Sequence, residues 1–255
     1  MQSTPYPDVN AILHEVYTGA RAILGDSFVG MYLYGSLTTA TFDPDSSDID
    51  FLVVTTEEIR GDKLDALIQM HARIASSDSK WAIQLEGSYI PQDVLRRYDS
   101  RYTQHPHIDR GAGILAVLQH DTDWVVQRHV LREHGITIAG PPIQTLIDPI
   151  SPDDLHHALR LMLDVWWKPM LNNPEPLQHA GYRSYAIMTM CRVLYTFEHG
   201  TVVPKGVATD WAQEYLGERW SPLIDLANRN RNGTPLVTVE AALNFIRYTV
   251  AHAKQ

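Results

Sequence analysis

Apolar positions near the start of the chain alternate between two spacings. Val9, Ile12, Leu13, Val16, Ala20, Ile23 and Leu24 fall on one stripe at helical spacing, with Asp8 as the expected cap and Gly25 just past the end. Residues 28–34 are short and rich in aromatic and β-branched types, which predicts a strand. A second strand is expected over 48–54, after the turn-rich Asp43-Pro44-Asp45-Ser46-Ser47. Helical spacing returns at Leu64, Leu67, Ile68, His71 and Ile74. Strand alternation follows over 81–89, with Trp81, Ile83, Leu85 and Tyr89 set against Ala82, Gln84, Glu86 and Ser88. Residues 113–132 read as a helix.

Past a break at Gly140-Pro141-Pro142 and Asp148-Pro149, the pattern predicts helices only. Ser151-Pro152-Asp153-Asp154 combines a cap residue, a first-turn proline and early acids, and Leu155, Leu159, Met162 and Trp166 share a face. Further helices are expected over 184–199, stopping at Gly200, and over 207–215, stopping at Gly217. Thr238 caps a last one carrying Leu243, Ile246 and Val250. The organisation expected is a small α/β domain with its linker over 1–149 and a helical domain over 150–255.

Composition narrows the function classes. With 255 residues, 44% of them hydrophobic, the chain has the length and content for a real core. Thirty acidic against 21 basic residues give a net charge of −9, which argues against coating a nucleic acid and suits a cationic small molecule and plain solubility equally well. Cys191 is the single cysteine, so an intrachain disulfide and a cysteine-based zinc site are excluded and a reducing compartment is expected. No basic-then-apolar leader opens the sequence, and no apolar run approaches the ~20 residues that span a bilayer. The expectation is a cytoplasmic protein with no membrane or nucleic-acid partner, and a monomer.

The chemistry concentrates between Tyr32 and Val54. Gly35-Ser36 closes a strand and opens a short helical turn, where glycine lets the backbone approach a ligand and free N–H groups favour an anion. Asp48 and Asp50, two apart on a strand, project to one face about 7 Å apart. Carboxylates so placed can converge on one or two divalent cations, and Mg2+ prefers one or two carboxylates plus substrate phosphates. Glu86 lies on the polar side of the third strand. If that strand neighbours the second, Glu86 is a further metal ligand or a general base; otherwise it is an exposed glutamate. His105, His107, His156 and His157 read as surface histidines, and Cys191 as core. Of Trp166 and Trp167, one is expected to fill the core and one to face a ligand.

The pattern Gly-Ser-x(11)-Asp-x-Asp with a later acidic strand residue resembles the nucleotidyltransferase superfamily typified by DNA polymerase β. Asp121-Thr122-Asp123-Trp124, Arg132-Glu133-His134 with Gly140-Pro141, Cys191-Arg192-Val193-Leu194-Tyr195 and Val203-Pro204-Lys205-Gly206-Val207-Ala208-Thr209-Asp210-Trp211 resemble the aminoglycoside adenylyltransferases that modify streptomycin and spectinomycin. The resemblance implies an α+β fold, with a polymerase β-like mixed sheet and flanking helices followed by an all-helical C-terminal domain. It implies transfer of AMP from ATP to an antibiotic hydroxyl with Mg2+. Asp48, Asp50 and Glu86 would hold the metal, and Glu86 would act as base. Gly35, Ser36, Ser47, Asp123, Arg192 and Lys205 would meet the nucleotide in a cleft between the domains, and Trp166, Trp167 and Tyr182 would meet the acceptor. A family tyrosine near the nucleotide aligns with Arg231. Gln178 and Tyr182 replace acids that streptomycin-modifying members carry, with Glu175 nearby, and residues 98–110 lack a tryptophan. These departures leave a different acceptor, small molecule or protein, or a non-catalytic ATP-binding module, as alternatives.

Overall fold

A computed structural model describes residues 3–39, 41–45, 47–229 and 237–253, so Arg231 lies outside the described residues. The chain divides into two compact units, Met1–Pro149 and Ile150–Gln255. In the first, the order is α1 (Pro7–Leu24), β1 (Phe28–Leu33), β2 (Ile49–Thr55), α2 (Gly61–Ala75), β3 (Leu85–Pro91), α3 (Gln92–Arg96), β4 (Gln104–Ile108), β5 (Leu115–Gln119), α4 (Asp123–His134) and β6 (Ile136–Ala139). The strands form one mixed sheet in the order β5-β4-β3-β2-β1-β6. Its only parallel pair among the described residues is β2 with β3, the two joined through α2. The second unit carries α5 (Pro152–Met162), α6 (Ala180–His199), α7 (Lys205–Tyr215), α8 (Ser221–Arg229) and α9 (Val239–His252). The fold is α+β. No helix among the described residues is long and apolar enough to cross a membrane.

Strand alternation divides the sheet into two faces. Met31 and Leu33 of β1, Ile49, Phe51 and Val53 of β2, and Leu85 and Tyr89 of β3 pack with the apolar stripes of α1 and α2 into one core. Intervening positions therefore point to the opposite face, and these include Asp50, Glu86 and Ser88. Gly87, between the last two, has no side chain because the Phe51 ring occupies the space a Cβ would need.

Several expectations are corrected. Asp8 is not the cap of α1: Tyr6 holds that position and Pro7 opens the helix, leaving Asp8 in the first turn. Residues 81–84 are turn rather than strand, closed by Ala82 N–H to Ser79 O and Gln84 N–H to Trp81 O, both 3.0 Å. The span 113–132 is not one helix, because β5 occupies its first part and α4 starts at Asp123. Sequence reasoning missed β4, β6, α3 and α8, all short. The Ser151 capping box on Asp154, the Thr238 cap and the left-handed Gly200 (φ 67°) match expectation.

The core also holds a histidine. His71 of α2 is fully buried, 2.7 Å from the Tyr89 hydroxyl, and burial pushes its imidazole down to about 4. His120 is held down to about 2, by burial first and then by neighbouring His105, His107 and Arg128. A group whose folded pKa lies below its unfolded value stabilises the fold above about pH 6.5, and that contribution is lost as pH falls toward the folded value. For His71 the shift corresponds to roughly 3 kcal/mol. Denaturant unfolding followed at pH 7 and pH 4.5 is therefore expected to show the first unit weakened at the lower pH. A flat profile between the two would contradict buried, neutral histidines.

Candidate active site

β2 and β3 run parallel with Asp50 directly opposite Glu86, so both carboxylates stand on the same face at neighbouring positions. Asp48 lies one residue before β2, with its carboxylate 3.9 Å from the Arg110 guanidinium. Facing Asp50 is the turn that leaves β1. Tyr34 N–H donates to Asp50 O at 3.2 Å, and Gly35 (φ 68°) opens a short 3-10 turn, Gly35–Thr38. A Cβ on Gly35 would overlap the Asp50 carboxylate, so the turn approaches β2 this closely only with glycine at that position.

The charge of these acids bears on one phenol. Tyr34 is buried, and its hydroxyl is held protonated well above its usual range. Burial is the main cause, followed by the carboxylates of Asp50, Glu86, Asp48 and Asp123. Four acids, from β2, the residue before it, β3 and the start of α4, thus act on one hydroxyl. The Asp123 carboxyl is itself raised above the usual range by its own burial and then by Asp121. The alternation of the first strand gave no reason to single out Tyr34. Its position next to Gly35 was the available signal.

Two serines flank the acids. Ser36 Oγ is buried with no hydrogen-bond partner among the described residues, an arrangement that is costly unless a ligand supplies a partner. Ser47 closes its own turn: its hydroxyl accepts from Asp43 N–H at 2.9 Å, and its N–H donates to Asp43 O at 2.8 Å. Among the described residues no three His, Cys, Asp or Glu side chains cage a cation by themselves. A hard cation here would complete its shell with other oxygens, as Mg2+ does when it combines one or two carboxylates with phosphates. The all-oxygen donors and the orphaned Ser36 hydroxyl fit such a cation bound together with a phosphorylated ligand.

In the second unit, α5 gives way to a π-helical turn, Leu163–Trp167, closed by Lys168 N–H to Leu163 O at 2.8 Å. The buried row runs Leu155, Leu159, Leu163, Trp167, so Trp166 does not share the core face the sequence spacing gave it. Trp167 is 2% exposed and Trp166 56%. The Trp166 indole N–H donates to the Tyr182 hydroxyl at 3.1 Å, and Tyr182 and Tyr185 stack on Trp167. Lys205 places its ammonium 4.8 Å from the centre of the Tyr185 ring. Tyr185 escaped the sequence reading, although it stands one turn from Tyr182 on α6. Arg192 is half-buried on the same helix. Cys191 is core, its thiol pushed up to about 12 by burial. His105 and His107 are not surface residues: the first is 3% exposed, and both rings pack against that of His120, the buried residue after β5.

Comparison with known proteins adds the chain's relations. Residues 22–97 match the nucleotidyltransferase domain model, and residues 145–255 match the C-terminal domain model of aminoglycoside adenylyltransferase. An aminoglycoside (3'') (9) adenylyltransferase of Shigella flexneri is 28% identical over 232 residues, covering 88% of this chain and 86% of that protein. A spectinomycin 9-adenylyltransferase of Campylobacter jejuni is 26% identical over 222 residues, covering 84% and 82%. The crystal structure of a spectinomycin adenyltransferase from Enterococcus faecialis, with ATP and spectinomycin, superposes with a TM-score of 0.76 over 96% of this chain and 99% of that one. At 21% identity, this last likeness is one of fold.

Proposed function

We infer that the chain is an aminoglycoside adenylyltransferase of the nucleotidyltransferase superfamily, which transfers AMP from ATP to a hydroxyl of an aminocyclitol antibiotic, releasing pyrophosphate and conferring resistance; the two matched domain models and the 28%-identical relative support this reading. The observation that carries this reading is the Asp50–Glu86 pair in parallel register, facing the Gly35–Ser36 turn. Glu86 takes the proton from the acceptor hydroxyl. As that oxygen bonds to the α-phosphorus, the bond to the bridging oxygen breaks, and pyrophosphate leaves with the electron pair. Asp48, Asp50 and Glu86 are the residues that would hold Mg2+, which when bound neutralises charge on the triphosphate. We assign Gly35, Ser36, Ser47 and Asp123 of the first unit to the nucleotide, and Arg192 and Lys205 of the second to its phosphates. The net charge of −9 favours a cationic acceptor. A reducing, cytoplasmic setting suits the lone buried Cys191.

For the acceptor we assign Trp166 and Tyr182 as contacts, with Trp167 behind them as support. By the resemblance, Gln178 and Tyr182 fall where streptomycin-modifying members carry acids, and on that ground we take spectinomycin as the substrate. Pyrophosphate release with ATP and Mg2+ is expected to depend on spectinomycin and to exceed that with streptomycin by about tenfold or more, as fits a charge-assisted hydrogen bond that streptomycin cannot make here. Mass spectrometry of the drug then locates the AMP. Equal release with both drugs would overturn the acceptor assignment, and Mg2+-dependent ATP binding without release on either would overturn the antibiotic reading.

A further inference from the structure

The face of β3 that presents Glu86 presents Ser88 two residues further on, about 7 Å along the strand. Ser88 is fully buried. Its hydroxyl lies 2.6 Å from Nδ1 of His107 on β4 and 3.2 Å from Nε2 of His120, the residue after β5. His107 Nε2 in turn lies 3.1 Å from the Asp109 carboxylate. A serine hydroxyl carries one proton, so one ring accepts from it while the other donates. One direction leaves no buried N–H unpaired. His120 Nε2–H donates to Ser88, Ser88 O–H donates to His107 Nδ1, and His107 Nε2–H donates to Asp109; the tautomers are assigned from this network. The atom left without a partner among the described residues, His120 Nδ1, is then a bare lone pair rather than a stranded donor.

The His120 ring also stacks on the indole of Trp124, with centroids 4.0 Å apart and planes at 7°. Trp124 directly follows Asp123 at the start of α4. One turn later Arg128 is 3% exposed and donates to the carbonyls of Val94 at 3.0 Å, Leu95 at 2.9 Å and Trp124 at 3.2 Å. Arg128 thereby ties α4 to α3, while the stack on His120 ties the first turn of α4 to β3. Apolar side chains would fill this space for stability alone. A directional polar chain does something more, because it fixes the orientation of the His120 ring and so the plane on which Trp124 rests.

We propose that the chain Asp109–His107–Ser88–His120–Trp124 is a positioning device that sets Asp123 relative to Glu86, making His120 a positioning residue for ATP binding. This rests on the reading of Asp123 as a nucleotide contact. Replacing a group that orients a metal ligand typically costs about 10–100-fold, and the low end of that scale is carried over to a group that orients a nucleotide contact. His120→Ala is therefore expected to raise the KM for ATP about tenfold and leave the acceptor KM within about twofold. His120→Phe, which keeps the stack and removes only the hydrogen bond, is expected to recover part of that loss and leave a rise of about threefold in the ATP KM. With Asp123→Asn already in place, His120→Ala should add less than about twofold, since the two act through one contact.

Kinetics with ATP and spectinomycin on the four variants, with thermal unfolding of each, make the test. Additive effects in the double variant, or equal rises in both KM values, would overturn the proposal and leave the Asp123 reading intact. An Asp123→Asn enzyme with unchanged KM for ATP would overturn both. If His120→Ala fails to fold, Ser88→Ala cuts the same chain without opening a large cavity, and a rise of about threefold confined to the ATP KM is expected. No rise there would count against the proposal equally.

Discussion

Replacing Glu86 by alanine is expected to reduce adenylyl transfer by about a thousandfold or more, within the range that a positioned general base supplies and a missing cation ligand extends. The expectation rests on register: Glu86 stands opposite Asp50 on the adjacent parallel strand, and its acidic field reaches the Tyr34 hydroxyl. Asp48 and Asp50 remain in the variant, so ATP binding is expected to survive within a fewfold. Pyrophosphate release and calorimetric ATP titration on the same preparation separate the two effects. Transfer within tenfold of the parent would assign the proton to another acceptor. Loss of ATP binding in parallel with transfer would make Glu86 chiefly a cation ligand.

Gly35→Ala is expected to cost about a hundredfold in activity while leaving the chain folded, in line with the effect of a misplacement near 1 Å at a reacting centre. Two causes act together. A Cβ at φ 68° strains the backbone by roughly 1–2 kcal/mol, and it overlaps the carboxylate of Asp50. The strand cannot easily retreat, because Tyr34 N–H is bonded to Asp50 O and β2 is paired on both edges. Gly25 provides the control. It has φ 56° at ψ −124° and open space where a Cβ would go, so Gly25→Ala carries a positive-φ strain of its own without the clash. Full activity in Gly25→Ala beside a crippled Gly35→Ala is the expected pair of results. Parent-like activity in Gly35→Ala would show that the turn does not need to approach Asp50 closely.

The parts of the fold legible in the sequence were those with a local physical signature. The stripe from Val9 to Leu24, the Ser151 box, the Thr238 cap and the Gly200 stop are local in this sense, and each was recovered. β4 and β6 were missed and β5 was taken into a helix because each is only four or five residues long; β4 and β6 pair with strands far away in sequence, and β5 is an edge strand paired with β4 alone. β5 alternates little, and His105-Pro106-His107 does not look like a strand until Ser88 of β3 and Ala116, Val117 and Leu118 of β5 are seen across from it. The exchange of Trp166 for Trp167 followed from a π turn that spacing cannot foresee. At the acidic site, the condition attached to Glu86 was that its strand neighbour the second, and the pairing of β2 with β3 meets it. Tyr34 and the buried histidine cluster stayed hidden, since their significance comes from neighbours far away in sequence.

The most direct test of the account follows the phosphorus. The purified chain is given Mg2+ and spectinomycin with ATP labelled in the α-phosphate, and in a parallel reaction with ATP labelled in the γ-phosphate. Adenylyl transfer predicts that the α-label travels with the drug and the γ-label leaves in pyrophosphate. A γ-label recovered on the drug, or an α-label recovered only in ADP or AMP, would contradict it.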